Sequence, residues 1–162
     1  MSDAKHDPAE VIRELREQAF SVSATELGVV PGAGHQHVWA VFMDTGLGAA
    51  FVSLITIADG TTSLYFSNGG GVIGAGEHPA VRTASRRLIA LVDECVTEFT
   101  TAEDHSAPAA GRVRFYARTF DGLHGFEASE DELGNGRHRH SKLFHAAHDV
   151  IAAIRESTPE NR

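Results

Sequence analysis

The sequence has little cysteine, little positive charge and no long apolar run, and each shortage excludes a class of protein. Its 162 residues contain one cysteine, Cys95, so the chain forms no internal disulfide and supplies too few thiolates for a zinc site of its own. Lysine and arginine total 14 against 22 acidic residues, a formal net charge of -8. Nucleic acid and anionic membranes attract basic surfaces, so we expect neither as a partner.

Membrane and export signals are also missing from the pattern. The longest apolar runs, residues 38–43 and 49–57, are too short and too interrupted to span a bilayer. Residues 1–10 lack the basic and then apolar plan of a signal peptide. We therefore expect a cytoplasmic protein.

The composition that remains is that of one globular domain. Apolar residues make up 42% of the chain and charged residues 22%, which is ordinary for a folded protein. A chain of this length supports one substantial core and is short for two. We predict a single domain over residues 1–162, with frayed tails at 1–6 and 157–162.

Helix starts and hydrophobic periodicity define the elements. Asp7 and Pro8 are typical of a helix start, and the helix that follows places Arg16 on its charged side, opposite Ile12. Two runs that are apolar on both alternating faces predict strands buried on both sides. The predicted elements are a helix at 8–20, strands at 38–43, 50–57 and 62–67, a helix from 79 to about 99, strands at 112–120 and 123–128, a single helical turn at 129–134, and a helix at 141–154.

The order of these elements indicates the fold class. Strands do not alternate with helices, so a doubly wound parallel sheet is disfavoured. We predict an α+β domain in which a mainly antiparallel five-stranded sheet packs with helices, in the order α-β-β-β-α-β-β-α. Residues 101–111, between the central helix and the second strand pair, are predicted to be a solvated linker and the most mobile stretch in the middle of the chain.

A glycine-rich segment, residues 69–76, stands between the third strand and the central helix. Its spacing Gly69-Gly70-Gly71-Val72-Ile73-Gly74 satisfies the Gly-x-Gly-x-x-Gly pattern of dinucleotide-binding proteins, and Asp93 follows about twenty residues later. Against this interpretation, Pro79 delays the helix until after the motif and removes an amide donor, and Glu77 places negative charge where a phosphate would lie.

We therefore favour a structural role for the glycines, as a sharp turn with Val72 and Ile73 packed inward. Ligand or anion binding stays open as an alternative, kept by Arg82 one turn into the helix. The candidate ligand-binding residues are Asn68, Gly69, Gly70, Gly71, Gly74, Gly76, His78 and Arg82.

Ten histidines raise the question of a metal site. The pairs His35/His37 and His138/His140 have chelate spacing. However, His145 and His148 fall on the exposed side of the last helix, and the arginines beside His138 and His140 oppose a dication. We predict no metal site and no cofactor.

Catalytic signatures are missing as well. The sequence has no Gly-x-Ser-x-Gly elbow, no His-Glu-x-x-His and no Ser-x-x-Lys set. Its clustered carboxylates Glu130, Asp131 and Glu132 are explained by helix capping.

The sequence resembles two groups of known proteins. Residues 60–74, together with 112–116, 119–122 and 131–134, resemble a family of small bacterial proteins of unknown function, a likeness that would extend from about Val38 onward and implies no activity. The element order is similar to that of type III secretion chaperones, which are small, acidic, dimeric α+β proteins that bind an unfolded segment of a secreted partner. That second likeness is one of topology alone.

Two functional hypotheses follow. The first is a non-enzymatic protein-interaction or chaperone-like module that acts as a homodimer, because three modest helices leave doubly apolar strands to be covered. The second is a small-molecule or anion-binding protein, or an enzyme, with its site at the glycine segment.

Overall fold

A seven-stranded antiparallel sheet runs through the middle of the molecule, with helices on both of its faces. The computed structural model describes residues 7–157. The strands lie in the order β4-β3-β2-β1-β6-β7-β5 across the sheet. The helices are α1 (Pro8–Ser21), α2 (Pro79–Cys95), α3 (Glu130–Gly134) and α4 (Ser141–Glu156), and the strands are β1 (Val38–Gly46), β2 (Phe51–Ile57), β3 (Thr62–Phe66), β4 (Gly71–Val72), β5 (Thr100–Thr101), β6 (Arg112–Thr119) and β7 (Gly122–Ser129).

The α+β class and the antiparallel sheet are confirmed, but the predicted five strands and their order are wrong. Two additional strands, β4 and β5, lie at the two edges of the sheet and are only two residues long. A strand this short shows no alternating pattern in the sequence. It forms because β3 and β7 each offer an unpaired edge to the segment that folds back beside them.

One face of the sheet, which we call the two-helix face, is covered by α2 and α4. The buried side of α4, which was predicted as a helix over residues 141–154, includes the apolar residues Leu143, Val150 and Ile154. They pack with Leu88 of α2 and with the inward side chains of the central strands, such as Phe115, in one continuous apolar core. Burial of this area is the main source of the domain's stability.

The opposite face, which we call the α1 face, is covered by α1 and by the connector that follows it, residues 22–37. Here Ile12 and Phe20 of α1 pack on Phe42, Ile55 and neighbouring apolar side chains of the sheet. The prediction that β1 is buried on both sides is confirmed, since all nine of its residues are buried.

The position of Arg16 corrects the prediction for α1. Its buried side carries Ile12, Arg16 and Phe20, spaced four residues apart, whereas Val11 is exposed. The apolar periodicity placed Arg16 on the solvated side. A buried acceptor in the sheet, described below, outweighs that preference.

The two ends of the chain lie mostly outside the described residues. The predicted tails at 1–6 and 157–162 lie outside the described residues, apart from Ser157, which caps the end of α4. Within residues 7–157, no helix combines the length and the apolar character that a bilayer crossing requires.

Candidate functional site

The glycine segment forms a hairpin turn and then a close passage along the sheet edge. Gly69, Gly70, Gly71 and Gly74 have φ values of 113°, 93°, 148° and 75°, which side chains rarely tolerate. Gly76 has an ordinary backbone, but a methyl group there would lie 1.8 Å from the Gly60 carbonyl oxygen. These positions need glycine for folding, whatever else the segment does.

The other predicted site residues surround this turn without converging on a cavity that they all line. Arg82 donates from Nη1 to the Gly76 carbonyl at 2.8 Å and to the Glu77 carbonyl at 3.2 Å. His78 precedes α2 without a side-chain capping bond, and Asn68 is exposed at the turn. The guanidinium of Arg82 therefore holds the loop in place, and ligand binding at this segment stays a prediction.

Of the two residues expected to pack inward, Val72 and Ile73, only the first does so. Val72 is half-buried against the core of the two-helix face, whereas Ile73 is 67% exposed. The cause is the pairing of β4, which ends at Val72 and directs the next side chain outward.

Asp93, the acidic residue that matched the dinucleotide pattern, has a structural partner instead. Its carboxylate accepts hydrogen bonds from the backbone amides of Gln36, His37 and Val38, at 3.1, 2.7 and 2.9 Å. It therefore fastens the end of the connector and the start of β1 to α2.

The histidines occupy structural and surface positions. His138 and His140 lie against the ring of Phe126, and His140 is buried, 3.6 Å from Glu98. Burial lowers the pKa of His140, and the Glu98 carboxylate partly opposes this shift. Throughout residues 7–157, no three side chains of the His, Cys, Asp or Glu type are arranged to hold a metal ion.

A buried polar cluster lies on the α1 face, and the sequence analysis did not predict it. Arg16 Nη2 lies 2.5 Å from Asp44 Oδ2, and Ser53 Oγ donates to Asp44 Oδ1 at 2.5 Å. Asp44 is fully buried, and burial raises its pKa against the opposing effects of Arg16 and Ser53. Arg16 is 6% exposed, and its Nε has no acceptor among the described residues.

Residues 102–111, which we call the strap, close over this cluster. The sequence predicted a solvated linker, but Pro108 is buried and the His105 ring stacks on Phe20 with centroids 4.2 Å apart. His105 Nε2 also lies 2.7 Å from a Glu17 carboxylate oxygen. The strap runs so close to the end of β1 that a methyl group on Gly46 would lie 2.0 Å from the Ala109 carbonyl oxygen.

Side-chain donors hold two consecutive carbonyls of the strap. Arg16 Nη2 donates to the His105 carbonyl at 2.5 Å. Tyr116 Oη and Arg114 Nη1 both donate to the Ser106 carbonyl, at 2.7 and 2.8 Å. The strap is thus attached by hydrogen bonds to its backbone more than by apolar packing.

Two grooves flank the exposed turn between β6 and β7. The first, of 340 Å³, lies between this turn and the end of α1 and is lined by Phe20, Trp39 and Leu123 among others. The second, of 290 Å³, is lined on its far side by Pro31 and Val96. Phe120 contributes to both grooves.

The first groove is stiffened by an arginine. Arg118 stacks over the Trp39 ring at 4.4 Å and donates to the Ala19 carbonyl at 3.1 Å and to the Val22 carbonyl. Burial lowers the pKa of its guanidinium. Because these carbonyls close the last turn of α1, Arg118 fixes the helix end that forms one wall of the groove.

Comparison with known proteins gives no assignment, because no family model, no curated protein and no solved structure matches the chain.

Proposed function

We propose that the protein is a non-enzymatic protein-interaction module, chaperone-like in its mode of action, that works as a cytoplasmic homodimer. One observation carries the proposal: an exposed turn between β6 and β7 that is flanked by two grooves.

The shape of this region supports self-association. Asp121 and Gly122 at the tip of the turn are exposed, and grooves lie on either side of them. A twofold dimer uses the same patch on both subunits, so the patch must be complementary to itself. A turn beside a groove meets that condition, because the turn of one copy can lie in the groove of the other. Phe120, which is partly exposed and lines both grooves, belongs to the aromatic residue types that are enriched in interfaces.

The oligomeric state tests the proposal. Size-exclusion chromatography with light scattering at micromolar concentration is expected to give a dimer for the natural chain and a monomer for Phe120→Glu. Ile73→Glu is the matched control, since Ile73 is exposed beside β4, on the other side of β1 in the sheet from this turn. A natural chain that is monomeric under these conditions would overturn the dimer.

The glycine segment supports a second proposal, a site for a small molecule or an anion. It is supported by the local glycine density and by Arg82 beside the turn. A thermal-shift screen over nucleotides, phosphates and divalent metals tests it, because a ligand held well above its dissociation constant raises the unfolding midpoint. No shift with any compound, in the natural chain and in Arg82→Ala alike, would remove it.

A further inference from the structure

The strap occupies its position in the way that a bound peptide would. Its ten residues contain no helix or strand, and Pro108 is the one strap residue that is buried. Backbone hydrogen bonds from Ala102 and Gly111 hold its two ends. Between them, the carbonyls of the strap accept from donors on other elements: Arg16 on α1, and Arg114 and Tyr116 on β6. We call these three side chains, with the Phe20 ring, the cradle.

The chemistry of the cradle is that of backbone recognition. Three donors converge on the carbonyl oxygens of two adjacent residues, His105 and Ser106, and every polypeptide carries such carbonyls. One ring position, where His105 stacks on Phe20 at an interplanar angle of 13°, adds a preference for an aromatic or imidazole side chain. Charge-assisted donors to carbonyl oxygens are among the stronger hydrogen bonds in proteins.

Each member of the cradle also has contacts outside the strap. Arg16 is anchored independently by Asp44, and Arg114 by Glu127 Oε1 at 2.5 Å. Tyr116 lies in the centre of β6 and packs edge-on against Phe20 at 5.3 Å. Release of the strap would therefore expose donors that keep these other contacts. Segments with little apolar burial open locally at low free-energy cost.

We propose that the cradle binds an extended segment of a partner protein in exchange for the strap, gripping two consecutive backbone carbonyls and one aromatic or imidazole ring. This inference rests on the proposed interaction function and specifies its ligand class, an unfolded or extended peptide. The strap then competes with the partner segment for the cradle, and this competition sets the affinity of the protein for the segment.

Gly46 allows the strap to be displaced without changing the cradle. Gly46→Ala places a methyl group 2.0 Å from the Ala109 carbonyl oxygen, so the strap must shift, while Arg16, Arg114, Tyr116 and Phe20 stay unaltered. Faster hydrogen exchange of residues 102–111 in this full-length variant verifies the displacement.

The probe is a fluorescein-labelled peptide with the sequence of residues 99–111, measured by anisotropy. We expect Gly46→Ala to bind it at least about tenfold more tightly than the natural chain, because the internal competitor is removed. In the Gly46→Ala background, Tyr116→Phe should weaken binding about fivefold and Arg114→Ala about tenfold. Arg112→Ala is the matched control: the Arg112 side chain also pairs with Glu127, but its only hydrogen bond to the strap comes from the backbone amide, which the substitution keeps.

Several outcomes would overturn the inference. One is a displaced strap with no gain in peptide affinity, and another is affinity that does not respond to Tyr116→Phe and Arg114→Ala. If Gly46→Ala does not fold, the double variant His105→Gly/Pro108→Gly loosens the strap and carries the same measurements. If the chain is monomeric and binds the peptide, the homodimer proposal is wrong and the cradle proposal holds. If the chain is dimeric and does not bind the peptide, only the cradle proposal is wrong.

Discussion

The two faces of the sheet are held together by different kinds of interaction. On the two-helix face, α2 and α4 bury one continuous apolar core around Leu88 and Phe115. On the α1 face, a smaller apolar cluster surrounds Arg16, Asp44 and Ser53, which are bonded to one another or to backbone. Removing one partner of a buried ion pair leaves an uncompensated charge in the interior, whereas truncating a packed apolar side chain leaves a cavity. Substitutions on the two faces therefore lower stability through different mechanisms.

The largest expected loss of stability comes from breaking the ion pair between Arg16 and Asp44. Arg16→Ala leaves the Asp44 carboxylate buried without a cation, so the free energy of unfolding should fall by about 3–5 kcal/mol in urea titration. In Arg16→Met/Asp44→Leu both charges are removed together, and the loss should largely disappear. A single variant that loses less than about 1 kcal/mol would show that the pair is not the element that distinguishes the two faces.

Matched truncations of apolar side chains on the two faces should lower the free energy of unfolding by different amounts. Leu88→Ala opens a cavity in the continuous core and should cost about 4 kcal/mol, whereas Ile12→Ala should cost about 2 kcal/mol because the α1 layer can relax around it. Both side chains are at most 5% exposed, so burial does not explain a difference. Equal losses, measured by the same urea titration, would mean that α1 is packed as rigidly as α2.

A smaller effect is expected at the strap. Tyr116→Phe removes the hydroxyl that donates to the Ser106 carbonyl at 2.7 Å and should cost about 1 kcal/mol. The change should appear mainly as faster amide exchange of residues 102–111, while α2 and α4 exchange as before. Uniform acceleration across the domain would contradict a strap that opens by itself.

The smallest effect concerns pH on the two-helix face. Because burial lowers the pKa of His140 in the folded state, the unfolded chain takes up this proton first as pH falls below the ordinary histidine value of 6.5. The stabilisation by neutral His140 is complete above that pH and is lost as pH falls through the lowered pKa. Thermal midpoints from pH 8 to 5 should therefore fall less steeply for His140→Gln than for the natural chain. His145→Gln, changed at an exposed position of α4, should match the natural chain.

Local pattern was sufficient for most elements and insufficient for the α1 face. The apolar arc of Leu143, Val150 and Ile154 was readable because period and burial agree along α4. The predicted first strand ended at residue 43, where the apolar run stops before Asp44, yet β1 continues through Asp44 to Gly46. Nothing local links Asp44 to Arg16, which lies 28 residues away in the chain.

The sequence did contain one signal for the burial of Arg16, but the charge of the residue outweighed it. Ile12, Arg16 and Phe20 are spaced four residues apart, so a charge stood on an otherwise apolar side of α1. The edge strands and the strap had no comparable signal, since the first depend on pairing between distant segments and the second on carbonyl oxygens that every residue carries.

The Asp93 carboxylate, which accepts three backbone amides at the start of β1, has a consequence for how far a disturbance can travel. It fixes residues 36–38 to α2, upstream of the first strand and downstream of α1. Any opening that starts at α1 and passes through the connector must stop at this clamp unless α2 opens too. An opening of α1 and the connector that leaves this clamp in place would therefore end before residue 36, and the start of β1 would keep its position against α2.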